Sequence, residues 1–169
     1  MLGYIVADER GGGDRRLAAL VDRLLFDGLR LAGAVQTNVE VDEDRPCHMD
    51  LCVIGQDTAV RISQSLGAHS SGCRLDPAGL ETVVGAVAAQ LDAPVDLLIV
   101  NKFGKQEVEG RGFRTVIGAA IAQGIPVLTS VNAKNLEGFR AFADELAVQI
   151  DADVDSMHAW VAEIVQTPA

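Results

Sequence analysis

LGYIVADERGGGDRRLAALVDRLLFDG, residues 2–28, decides the fold. An apolar run over 2–7 is broken by Asp8-Glu9-Arg10 and by three glycines, Gly11, Gly12 and Gly13. Beyond them Leu17, Leu20, Val21, Leu24 and Leu25 recur at helical spacing, with Asp14 able to cap the start and Gly28 able to end the helix. A second apolar stretch, 29–36, reads as a strand. Strand, glycine-rich loop, helix, strand is the βαβ unit of an α/β domain.

The remainder continues the pattern. Residues 37–45 are polar and acidic and read as a loop. Residues 49–54 and 59–63 flank Gly55-Gln56-Asp57-Thr58, a hairpin inserted between crossover units. Residues 63–74 are rich in Ser and Gly, and Asp76-Pro77 opens a helix to about 91. Asp96 to Val100 is a continuous apolar run, as expected of a parallel strand covered on both faces. Residues 101–112 read as a loop, 113–123 as a helix and 126–131 as another buried strand. Helices over 136–149 and 153–165 close the chain. The expected architecture is α/β, a mostly parallel three-layer sheet with one antiparallel hairpin, formed as one domain over 1–169.

Composition narrows the function classes. The chain has 169 residues, 49% hydrophobic and 22% charged, which suits a globular domain with its own core. Its apolar runs fall short of the ~20 residues of a membrane-spanning helix. MLGYIVADER has no basic stretch before an apolar one, so no signal peptide is expected. A formal charge of −10, from 24 acidic and 14 basic residues, argues against nucleic-acid and anionic-membrane partners. Three cysteines without secretory features suggest reduced thiols, hence a cytoplasmic location.

In open α/β sheets ligands bind beyond the carboxyl ends of the strands. The first loop stands where a phosphate-binding loop would, but such a loop needs glycines followed by Lys-Ser/Thr. DERGGGDRR supplies Gly11, Gly12 and Gly13, then Asp14-Arg15-Arg16. It reads either as a strand-to-helix turn or as an anion site with Arg15 or Arg16 as its cation. In phosphate-loop NTPases an apolar strand ends in an acidic residue that holds magnesium. Here that strand ends in Asn101-Lys102, so the metal-assisted hydrolytic apparatus is expected to be missing. Lys102 and Lys105, two of only three lysines, flank a glycine turn near Glu107 and Arg111 and suggest an anion site.

The segment SQSLGAHSSGCRLD offers Ser63, Gln64 and further hydroxyls, with Arg61 and Arg74 at its ends, and could form an oxyanion nest. Cys73 beside Arg74 has a neighbour that favours the thiolate, but no base is placed by the sequence, so no catalytic residue is assigned. Cys47, His48, Cys52, His69 and Cys73 lack zinc-ligand spacing, and Cys47 and Cys52 read as packed small side chains. No metal site is expected.

DLLIVNKFGKQEVEGRGFRTVIGAAIAQGIPVLTSV, with GLRLAGAVQTNVE and the hairpin before it, resembles the cancer-related nucleoside-triphosphatase family over residues 1 to about 145. That resemblance implies a P-loop NTPase-like fold. The two nucleotide signatures are departures from it, since the family's strand ends in Asp-Glu. CHMDL, RISQSLGAHSSGCRLD and NKFGKQEVEGRG, in that order, are similar to a family of bacterial proteins of unknown function, some encoded near molybdate-uptake genes. The expected activity is binding of a small anion, a nucleotide or another phosphate-type ligand, with little or no hydrolysis. The alternatives are a molybdate- or tungstate-binding accessory protein and an NTPase with an atypical site. Candidate ligand-binding residues are Gly11, Gly12, Gly13, Arg15, Arg61, Ser63, Gln64, Arg74, Asn101, Lys102, Lys105, Glu107 and Arg111. No cofactor is named by the sequence, and a homo-oligomer stays open.

Overall fold

The computed structural model describes residues 1–7, 9, 11–39, 48–64 and 74–166. Strand β1 (Leu2–Val6) leads through the glycines into helix α1 (Gly12–Phe26) and then β2 (Leu31–Val39). Strands β3 (His48–Val53) and β4 (Ala59–Arg61) follow, then α2 (Pro77–Gln90), β5 (Leu97–Val100), α3 (Lys105–Val108), α4 (Arg114–Ala122) and β6 (Val127–Val131). Helix α5 (Leu136–Ala143), strand β7 (Ala147–Gln149) and α6 (Val154–Gln166) complete the described chain.

The seven strands form one sheet in the order β4-β3-β2-β5-β6-β1-β7. Strands β2, β5, β6, β1 and β7 run parallel, and the β3–β4 hairpin extends the sheet antiparallel from β2. Alternation along β5 explains the three layers. Leu98 and Val100 join the core under α2, α4 and α5, while Leu97 and Ile99 join the core under α1 and α6. All four are fully buried, as a strand covered on both faces requires. Gly33 on β2 has φ +126°, and a Cβ there would overlap the Ile99 carbonyl oxygen, so this strand crossing admits only glycine. The parallel strands deliver Ala7, Gln36, Asn101 and Asn132 to one edge of the sheet.

Three sequence expectations are corrected. The helix read over 136–149 stops at Ala143. Asp144, at φ +46°, turns the chain, and Ala147–Gln149 pairs with β1 instead. Leu136, Phe139, Phe142 and Leu146 carry a helical period across that turn, but an open edge of β1 outcompetes it. The loop read over 101–112 contains α3, whose third residue, Glu107, accepts a hydrogen bond from the Gly104 amide. Helix α1 is capped by Gly11 in the left-handed region rather than by Asp14, which lies inside its first turn.

Candidate functional site

Asp14 is the organising residue of the sheet's carboxyl edge. It is 5% exposed, and each of its oxygens is occupied by side-chain amides. Asn101 donates its Nδ2–H to Oδ1 at 2.9 Å, while Asn38 Nδ2 and Gln36 Nε2 donate to Oδ2 at 3.0 and 3.3 Å. Asn101 Oδ1 in turn accepts from the Gln36 backbone amide at 2.9 Å, and the Ser130 hydroxyl donates to the Asn101 carbonyl. These amide orientations follow from the hydrogen-bond network itself. Among the described residues no cation pairs with Asp14, so the amides and the amino end of α1 carry its negative charge.

Glu9 completes this acidic cap. Its carboxylate lies over Gly12 and pairs with Arg16 at 3.0 Å. The place an anion would take above the first turn of α1 is therefore bordered by the protein's own carboxylates.

Next to this network lies a cavity of about 310 Å³. Met49, Leu51 and Ile62 line it from the hairpin, with Leu75 and Leu80 from the approach to α2 and Phe113 from the start of α4. Lys102, Lys105 and Gln106 line it from the turn after β5, Arg74 also borders it, and Asn132 and Asn135 follow β6. Gln36 and Asn101 belong to both the cavity and the Asp14 network.

The turn carrying the lysines is pinned from below. Phe103 is fully buried, its ring 5.1 Å from Phe139 and 5.3 Å from Phe142, and its amide donates to the Ser130 carbonyl at 2.8 Å. With Phe103 inward, Lys102 on one side and Lys105 beyond Gly104 remain exposed at the cavity. Glu107 is the second anchor. It is 4% exposed and accepts from the Gly104 amide at 2.9 Å and the Phe113 amide at 3.0 Å. Burial pushes its carboxyl above the ordinary value, these two amides pull it partly back, and Glu81 adds a smaller upward push. Gly112 is required beside it, since a Cβ there would overlap Glu107 Oε1.

Of the residues proposed from sequence, the cavity gathers Arg74, Asn101, Lys102, Lys105 and Glu107. None of its described lining residues comes from Gly11, Gly12, Gly13 or Arg15. Arg61 pairs with Asp50 across the hairpin, and Arg111 pairs with Glu109 and Gln106. The Ser63 hydroxyl accepts from the Met49 amide within the hairpin, and Gln64 Nε2 donates to the Leu75 carbonyl, which ties the end of the hairpin to the segment before α2. Ser65, His69, Ser70, Ser71, Cys73 and Cys47 lie outside the described residues. Cys52 is half-buried, 3.7 Å from Thr37 Oγ1, on the opposite face of β3 from Leu51 and Val53.

Gln36 and Asn38 were not singled out from the sequence, and Asp14 was read there as a helix cap and as a charge repelling polyphosphate, not as the centre of a buried network. A signal was present. With α1 starting at Gly12, the pattern GxxxxGK[ST] runs from Ala7 and puts Gly13 and Asp14 at its Lys and Ser/Thr positions. Asn101 stands at the end of β5, where such folds carry a metal-holding carboxylate. Carboxylate and neutral group have thus exchanged places. These residues do not fit a magnesium ion, because a direct 2.9 Å hydrogen bond joins Asn101 to Asp14 and three of the roughly four acceptor positions of Asp14 are already used.

The mostly parallel sheet, with a glycine loop between β1 and α1 and a cavity at its carboxyl edge, has a P-loop NTPase-like α/β fold. The chain belongs to the family described as "Protein of unknown function (DUF2478)", whose model matches residues 2–160. The fold is that of THEP1 from the hyperthermophile Aquifex aeolicus, with a TM-score of 0.64 at 12% identity over 97% of this chain and 95% of that one. The chain is also similar to the "Molybdenum import ATP-binding protein ModC 2" of Bradyrhizobium diazoefficiens, 37% identical over 149 residues. That match takes 87% of this chain but spans only 16% of the relative. Among the described residues no helix is long and apolar enough to cross a membrane.

Proposed function

We propose that the chain binds a nucleotide or a related phosphate-bearing ligand in the cavity beside β5, with little or no hydrolysis. The observation that carries this reading is one cavity with an apolar wall on the hairpin and α2 side and Lys102 and Lys105 on the other. A volume of about 310 Å³ lies at the lower end for small-molecule sites. The apolar wall suits a base, and the ammonium groups suit the phosphate through charge-assisted hydrogen bonds. Phe103 and Glu107 hold the turn, so the lysine stems start from a fixed backbone. Hydrolysis lacks its usual parts, because Asn101 and Lys102 follow β5 and the Asp14 oxygens are committed to amides.

A second reading, a molybdate- or tungstate-binding accessory protein, is favoured by the name of the Bradyrhizobium relative. A bare tetrahedral oxyanion uses the lysines but leaves the apolar wall without a partner. Calorimetric titration of the protein with ATP, GTP and molybdate separates the two. Nucleotide binding with no molybdate heat supports the first reading. The reverse result replaces it with the second, and silence with all three removes both.

A further inference from the structure

We infer that the site takes a nucleoside 5′-monophosphate without a metal ion, and that Asp14 is the residue that excludes the longer phosphate chain. This inference rests on the nucleotide reading above and adds the ligand's length and its metal independence.

The cavity and the glycine loop are neighbouring but separate places. Gln36 and Asn101, which line the cavity, also donate to Asp14, so the layer between cavity and loop contains a buried carboxylate. A phosphate chain growing from Lys102 toward Gly11–Gly13 runs into that charge, and past it meets Glu9 over Gly12. Like charges brought together beside a buried carboxylate repel strongly. In an ordinary phosphate-loop site a magnesium ion relieves this repulsion, held by a hydroxyl and a carboxylate. Here the corresponding residues are hydrogen-bonded directly to each other, leaving no opening for the ion between them. Among the described residues the second and third phosphates therefore meet carboxylates at the glycine loop and no opening for a metal beside Asp14.

The first phosphate is better served. A phosphomonoester carries roughly −1.5 to −2 charges at neutral pH, which two lysines balance. Lys105 reaches Glu109 only at 3.6 Å, an exposed pair that a phosphate can displace. The mainly apolar wall then distinguishes a nucleotide from a simple sugar phosphate.

The test is calorimetry on the intact protein with AMP, GMP, ATP, GTP and ribose 5-phosphate, each with and without magnesium. At least one monophosphate is expected to bind as tightly as its triphosphate or tighter. Ribose 5-phosphate should bind about tenfold more weakly or worse, and magnesium should change the monophosphate affinity by less than about threefold. A triphosphate that binds about tenfold tighter than its monophosphate once magnesium is added overturns the inference and leaves the nucleotide reading standing. Ribose 5-phosphate binding as tightly as the nucleotides overturns the assignment to nucleotides, and absence of any nucleotide binding overturns both. Asp14→Asn, which keeps an acceptor and removes the charge, should raise triphosphate affinity relative to monophosphate. An unchanged ratio in a variant that melts as wild type does removes Asp14 from the role. Should that variant unfold, the wild-type titrations decide alone.

Discussion

Glu107 brings a carboxylate into a place that water barely reaches, and the pH dependence of stability should record it. Its ordinary value is 4.5, and burial raises it in the folded chain against the pull of the Phe113 and Gly104 amides. Between the unfolded and folded values the folded state holds the extra proton, so stability falls as pH rises through that window. Melting temperature should therefore decline as pH increases from 4.5 toward the raised folded value, and Glu107→Gln should flatten that part of the profile. A slope unchanged in Glu107→Gln would show that Glu107 is not its source. Asp96, held low mainly by its hydrogen bond from Arg30, acts with the opposite sign and below 3.8, so it leaves this window alone. The lysines make the complementary prediction. Lys102→Ala and Lys105→Ala should each weaken nucleotide binding by ~1–3 kcal/mol, as for a lost charge-assisted hydrogen bond. Neither should lower the melting temperature appreciably, because both side chains are exposed. Wild-type affinity in both variants would sink the lysine site.

At the scale of elements, β2 and α2 carry glycines under opposite demands. Gly33→Ala should destabilise by about 2–4 kcal/mol, since a Cβ meets the Ile99 carbonyl at a backbone angle that side chains rarely adopt. Gly85→Ala, in the middle of α2 with open space around it, should stabilise by about 0.5–1 kcal/mol through helix propensity. Chemical denaturation of both variants checks the pair, and equal effects would mean the β2–β5 approach is looser than described. Legibility in the sequence followed the same division. The β1–α1–β2 unit, the hairpin, α2, β5 and β6 were readable because each has its own period and its own start or stop, such as Asp76-Pro77 before α2 or Gly124 after α4. Strand β7 was not, because Ala147-Val148-Gln149 is too short to show alternation and owes its state to pairing with β1. Helix α3 was hidden for a related reason, being one turn held by Glu107 rather than by an apolar stripe. In the site, lysines on a loop announce themselves by charge. Asp14 on α1 and Gln36 and Asn38 on β2 become a unit only when the helix and the strand are brought within hydrogen-bonding distance.

The whole molecule sets a net charge of −10 against an anionic ligand, so binding depends on a local field that the rest of the surface opposes. Chemistry on that ligand would require more than attraction. Hydrolysis of a phosphoanhydride is catalysed almost wholly by positioning and by positive charge at the transferring group, with a carboxylate to hold the metal or orient water. The sheet's carboxyl edge presents Asn101 and Lys102 where that carboxylate belongs, and Asp14, a buried acid beside them, is turned to Asn101, Gln36 and Asn38. Glu107, a second buried acid at the cavity, accepts hydrogen bonds from two backbone amides, one on each carboxylate oxygen. Magnesium-dependent turnover of ATP or GTP by purified protein should therefore stay well below the ~1 per second of an ordinary enzyme. The measurement is phosphate release at saturating nucleotide, run alongside Lys102→Ala. Turnover near 1 per second that disappears in Lys102→Ala would mean that the lysine replaces the metal as the electrophile, and the binding-only reading would give way to an NTPase with an atypical site.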